Sequence, residues 1–176
     1  MTHTEFWELV DSARAWSKSG AELTRVFSDA LLDKSSDEIL YVYAWMSAYR
    51  SALAREDLWA AAYTVRGGCS DDSFDYFRSW LISLGEAAVL AVVHEPEALI
   101  ELVGDGYRGE CTNELFGAAP SGAYETVTGE LLPWEDAPDV RIPGAADWPP
   151  DRIPAGLEWS DEFLAKTYPV LHAKFA

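Results

Sequence analysis

From Thr4 to Val103 the apolar residues return every three or four positions, and capping and breaking residues cut that pattern into helix-length pieces. Such spacing gives each helix one apolar stripe that must be buried against another. Short connections between amphipathic helices then allow antiparallel or orthogonal neighbours around one core. The expected fold is therefore all-α: a single-domain orthogonal multi-helix bundle.

The pieces can be read in order. Thr4 is expected to cap a first helix through Phe6, Leu9, Val10, Ala13 and Trp16. Gly20 punctuates, and Leu23, Val26, Phe27, Ala30 and Leu31 mark a second. Ser35-Ser36-Asp37-Glu38 has the spacing of a capping box and opens a third, through Ile39, Val42, Tyr43, Met46, Tyr49, Arg50 and Leu53. A fourth runs from about Glu56 to Arg66, its Ala60-Ala61-Ala62 allowing close helix approach, and Gly67-Gly68 stops it. Ser70 caps a fifth with Asp71 and Asp72 in the first turn, where carboxylates favour the helix dipole. Gly85 ends it, a sixth covers Glu86–His94, and Pro96 opens a seventh to Val103.

Beyond Gly104-Asp105-Gly106, read as a turn, the character changes. Asn113–Thr128 is expected to be helical although Pro120 and Gly122 interrupt it, which closes a core domain at residues 1–129. Residues 130–157 hold six of the nine prolines and no periodicity. Trp134, Trp148 and Trp159 favour an extended arm lying on the body, because large apolar rings gain by being covered. A final short helix, capped by Ser160 and carrying Phe163, Leu164, Tyr168, Leu171 and Phe175, occupies residues 158–176.

The 176 residues carry a formal charge of −17, and the balance is −6 over residues 1–94 but −11 over 95–176. A field of that sign repels phosphate backbones and anionic membranes, which argues against nucleic-acid and membrane binding. A basic protein partner or a cation fits it, and the same charge also serves solubility alone. The longest apolar run, Ala87–Val93, is too short to span a bilayer. Cys69 and Cys111 form no disulfide framework and no C-x-x-C. A reduced, cytoplasmic protein is expected.

Phosphate-cradling, nucleophile-elbow and zinc-protease signatures are absent. His3, His94 and His172 stand apart without ligand-spaced partners, so no metal and no cofactor are expected. The one crowded corner is Arg66-Gly67-Gly68-Cys69-Ser70-Asp71-Asp72, continuing to Asp75 and Arg78. At 100° per residue, Asp71, Asp75, Arg78 and Ile82 share a line beside the apolar face of Phe74, Phe77, Trp80, Leu81 and Leu84. Like charges at i and i+4 repel, so Arg78, Arg66 or a bound ligand should relieve Asp71 and Asp75. Asp71-x-Ser73-x-Asp75 lacks the glycine and the closing glutamate of a calcium loop. Helix capping and an ordinary helix ion pair explain most of these residue types. Cys69 combines a helix start, which favours a thiolate, with two carboxylates that oppose one. A small buried residue is the simpler expectation there. Trp7, Trp16, Trp45, Trp59 and Trp80 are expected in the core. Trp134 and Trp148 either pin the arm or serve as anchors for a partner.

Phe6-Trp7-Glu8-Leu9-Val10-Asp11, Leu58-Trp59-Ala60-Ala61-Ala62-Tyr63 and above all Gly68-Cys69-Ser70-Asp71-Asp72 with Phe74, Phe77-Arg78 and Trp80-Leu81-Ile82 resemble a bacterial family, the domain of unknown function 4240. The likeness covers about residues 1–130. It implies a small, helical, cytoplasmic bacterial protein, commonly actinobacterial, and transfers no catalytic residue. The reading taken from the sequence is a non-enzymatic protein-binding module, with immunity or defence as a subtype to which only the charge points. The alternative is an enzyme or a small-ligand or cation-binding domain. It would use Asp71, Asp72, Asp75 and Arg78, with Arg66, Cys69 and Ser70 beside them.

Overall fold

The computed structural model describes residues 1–103 and 111–176; the expected Gly104-Asp105-Gly106 turn lies outside them. Among the described residues there are ten α-helices and no strand. They are α1 (His3–Ala15), α2 (Gly20–Leu32), α3 (Ser36–Ala52), α4 (Glu56–Arg66), α5 (Asp71–Ser83), α6 (Glu86–His94), α7 (Leu99–Leu102), α8 (Glu114–Thr128), α9 (Asp161–Thr167) and α10 (Pro169–Phe175). The fold is all-α.

The caps explain most boundaries. Ser35 and Glu38 form the expected capping box. Gly67 closes α4 in the left-handed conformation, at φ 68°, which a side chain would resist. The first helix starts earlier than expected, because Thr2 has Glu5 three residues on and the two cap each other reciprocally, whereas Thr4 lies inside the helix. Pro96–Ala98 winds as a 3-10 turn before the four-residue α7, not as one continuous helix. The last helix is broken as well. Tyr168 sits at φ −127° and ψ 65°, and Pro169 opens α10. A proline disfavours helical geometry in the residue before it and has no N–H to continue the ladder.

Helix α8 is the centre of the packing, touched by α2, α3 and α5. Its approach to α5 depends on Gly117, where a Cβ would lie 2.6 Å from Ser79 Oγ. Pro120 is accommodated and buried inside α8. Phe27 of α2 stacks on Phe116 with centroids 4.4 Å apart. The core runs from Phe6 and Val10 through Phe27, Val42, Leu58, Phe77, Leu81 and Val92 to Leu171 and Phe175. Ala60, Ala61 and Ala62 are fully buried. Of the helical tryptophans, Trp7 and Trp45 are buried, and Trp59 and Trp80 pack partly buried against the core. Trp16 is 77% exposed, contrary to the core placement expected of it. Helix α1 ends at Ala15, so Trp16 is its C-cap residue and lies past the last turn.

Residues 130–157 carry no α-helix and two 3-10 turns, Trp134–Asp136 and Ala145–Asp147. A clip fastens the segment to α4. The N-terminus of α4 has no local side-chain cap. Asp151 supplies one from the arm, its carboxylate accepting from the backbone N–H groups of Glu56 at 2.6 Å and Asp57 at 3.0 Å. Arg55 donates to the carbonyl of Pro149 at 2.9 Å and holds the fully buried Asp57 carboxylate through two N–H groups. The Tyr168 hydroxyl donates to the Asp57 carbonyl at 2.7 Å, which ties the chain end to the same point.

Candidate functional site

The corner begins where α4 stops. Gly67 and Gly68 turn the chain, and Ser70 then accepts from the N–H of Ser73 to cap α5. The turn is held from below by Trp59, whose indole N–H donates to the Cys69 carbonyl at 2.9 Å. Trp59 also stacks on Phe74, with rings nearly parallel and centroids 5.1 Å apart, and Trp159 meets Trp59 edge-on at 5.7 Å. An aromatic wall thus fixes the turn, and one of its rings comes from the far end of the chain.

Asp75 sits where the common line predicts, but two guanidinium groups close on it. Arg78 donates to Oδ1 at 2.9 Å, and Arg50 of α3 donates from Nε to the same oxygen at 3.1 Å and from Nη2 to Oδ2. Arg78 also donates to the Arg50 carbonyl at 2.6 Å and lies over the Phe74 ring. Burial pulls the Arg78 pKa down from its ordinary value, against the opposing pull of Asp75. Charge-assisted, bidentate contacts of this kind join α3 to α5. Asp71, on the same line, is exposed, as are Ser70 and Asp72.

Arg66 does not reach the carboxylates. Its charge acts on Cys69 and Cys111, and its Nε and Nη1 are buried with no hydrogen-bond partner among the described residues. Burial pushes the Cys69 thiol up to about 11, and Arg66 offsets this only in part. At neutral pH Cys69 is a thiol, so neither the helix start nor the neighbouring arginine activates it. Among the described residues no three His, Cys, Asp or Glu side chains gather as metal ligands would.

Other contacts join residues far apart in the chain. Sequence spacing places Arg50 on a helix face and not against Asp75; its legible sign is a charge set among the apolar positions Met46, Tyr49 and Leu53. His3 is isolated in sequence, yet its Nε2 lies 2.6 Å from the Tyr49 hydroxyl and 3.4 Å from Glu86. Trp7 donates to that same hydroxyl at 3.1 Å. Trp148 packs over this group, 6.4 Å from the Tyr49 ring, half-buried against the core. Trp134 points away and is 64% exposed. The two arm tryptophans therefore part company.

A cleft of about 1140 Å³ opens elsewhere, between α2, the α5–α6 turn, α7 and the start of α8. Leu23, Trp80, Leu84, Leu102 and Leu115 supply its apolar lining, beside the hydrogen-bonded pair Thr24 and Asn113. None of Arg66, Asp71, Asp72, Asp75 and Arg78 lines it.

A family model described as a protein of unknown function (DUF4240) matches residues 1–126. The chain belongs to this DUF4240 family. The matched span holds α1 to α7, most of α8 and the whole Asp71 corner, while the arm, α9 and α10 lie beyond it. No curated protein and no solved structure matches the chain. No described helix is long and apolar enough to cross a membrane. The DUF4240 match thus identifies the helical body and brings no chemistry with it.

Proposed function

We propose that the chain is a non-enzymatic protein-binding module whose partner is a basic protein. The observation that carries this is a run of carboxylates with no ion-pair partner among the described residues. Between residues 125 and 147 six acidic side chains stand against one arginine. All six are exposed, and among the described residues none of them is in an ion pair. Fields of one sign steer a partner of the opposite sign and set the salt dependence of the encounter. The corner supports the same reading from the other side: Asp75 is already engaged by Arg50 and Arg78, and Cys69 is held as a thiol. An immunity or defence role, in which the partner would be a basic effector, is one form of this reading.

Affinity capture with the immobilised chain, beside an unrelated protein of matched negative charge, tests it. A basic protein should be enriched over that control at low salt and released at moderate salt. Repeated capture with nothing above the control would contradict the reading.

A further inference from the structure

We infer that the anchor of this interaction is the turn Leu131–Asp136, with Leu131 and Trp134 entering an apolar recess on a partner that is basic around it. This rests on the protein-binding reading above. Leu131 is 80% exposed and Trp134 64%, three residues apart on one turn, and Val127 at the end of α8 is 43% exposed. Their neighbours behave oppositely: Leu132 is partly buried against the core, and the turn rests on α3. The inward leucine thus fixes the outward pair.

The turn is ordered by its own backbone. Trp134 N–H donates to the Leu132 carbonyl at 3.0 Å and Asp136 N–H to the Pro133 carbonyl at 2.9 Å. A tryptophan whose backbone is held this way has only its side chain to order on binding, and tryptophan is among the residues most enriched at the centres of interfaces. Trp148 and Trp159, in the same C-terminal segment, are covered by Tyr49 and by Trp59 with Tyr63. Trp134 alone of the three is left for something outside the chain.

Charge selects the occupant. Glu130, Glu135 and Asp136 flank the pair, exposed and without an ion pair among the described residues, and Glu125 stands further back on α8. A second copy of this chain would bring the same carboxylates against themselves, and an anionic lipid surface would be repelled in the same way. A basic rim around an apolar recess is complementary on both counts.

The test is a random-peptide display library selected on the immobilised full chain at low salt. The selected peptides are then synthesised and titrated against the wild type and variants. Enriched peptides should combine two or more Lys or Arg with a large apolar residue. Trp134→Ala should weaken them by about thirtyfold, the level of an interface hot spot. Trp16→Ala, which removes a still more exposed tryptophan elsewhere, should change affinity less than about twofold on the same scale. Glu130→Gln with Glu135→Gln should weaken binding and flatten its salt dependence. An unchanged thermal melt for Trp134→Ala shows that the loss is local. Salt-sensitive peptides indifferent to Trp134→Ala would overturn the anchor and leave the protein-binding reading standing. Selection of acidic or uncharged peptides would overturn the anchor, as would dimers in sedimentation that Trp134→Ala dissolves.

Discussion

Asp75 and Asp71 are the same residue type one helical turn apart, and their surroundings give them different work. Asp75 is held by Arg50 and Arg78, whereas Asp71 is exposed in the first turn of α5. Asp75→Asn removes a charge that accepts three hydrogen bonds and leaves two guanidinium groups facing each other. It should cost about 2 kcal/mol or more, the usual scale for bonds to a charged group in a partly buried site. Asp71→Asn should stay within about 0.5 kcal/mol, because it gives up a little dipole stabilisation and relieves some repulsion from Asp75. Urea titration of the two variants measures both. Equal losses would mean that the pairing around Asp75 has no special role. The shared line of Asp71, Asp75 and Arg78 was legible because it follows from helical spacing alone. The closure of Asp75 by Arg50 was not, since 25 residues separate them and only the packing of α3 on α5 brings them together.

At the scale of elements, helix starts and stops were the most legible feature, because caps are local chemistry. Ser35, Gly67, Ser70 and Asn113 act as their neighbours demand. Boundaries depart from expectation where two local signals compete, as with Thr2 and Thr4, or where a proline divides a periodic run, as at Pro169. The start of α4 is the instructive case. Arg55 occupies the N-cap and makes no side-chain cap bond, and the missing acceptor comes from Asp151. An unsatisfied helix end in the sequence was the sign that a distant segment would supply the cap. Asp151→Ala should destabilise the protein by about 1–2 kcal/mol, as loss of an N-cap does. Arg55→Ala should cost more, about 3–5 kcal/mol, because it strands a buried carboxylate. Denaturant unfolding ranks them, and an Asp151→Ala variant as stable as the wild type would mean that the arm does not hold α4.

For the whole molecule, two buried phenols set a limit on the alkaline side. Burial pushes Tyr49 up to about 12 and raises Tyr168 above the ordinary tyrosine value. Between pH 10 and the folded values, the unfolded chain releases protons that the native protein keeps. Stability therefore falls as pH rises through this window, by about 1.4 kcal/mol per pH unit for each phenol. Cys69, raised to about 11, adds to the decline from a lower starting pH. Urea midpoints should decline from about pH 9 upward, and Tyr49→Phe with Tyr168→Phe should flatten the curve, given an ordinary tyrosine pKa of about 10. A level midpoint from pH 9 to 11 in the wild type would contradict the burial of these groups.

The same scale holds the functional claim. Arg50 and Arg78 engage Asp75 and join α3 to α5, and under the proposed function the surface offered to a partner is the acidic turn around Trp134. Sequence conveyed the charge and singled out the two arm tryptophans, but not which one would be covered, because that depends on the path by which the clip at Asp151 lays the arm over Tyr49. The most direct test is a titration of one basic peptide ligand, at low and moderate salt, against Trp134→Ala and against the double variant Asp71→Asn, Asp72→Asn. Docking through the Trp134 turn predicts a loss of about thirtyfold for the first, hot-spot scale, and a change of less than about twofold for the second. The reverse order would put the site in the corner and contradict it.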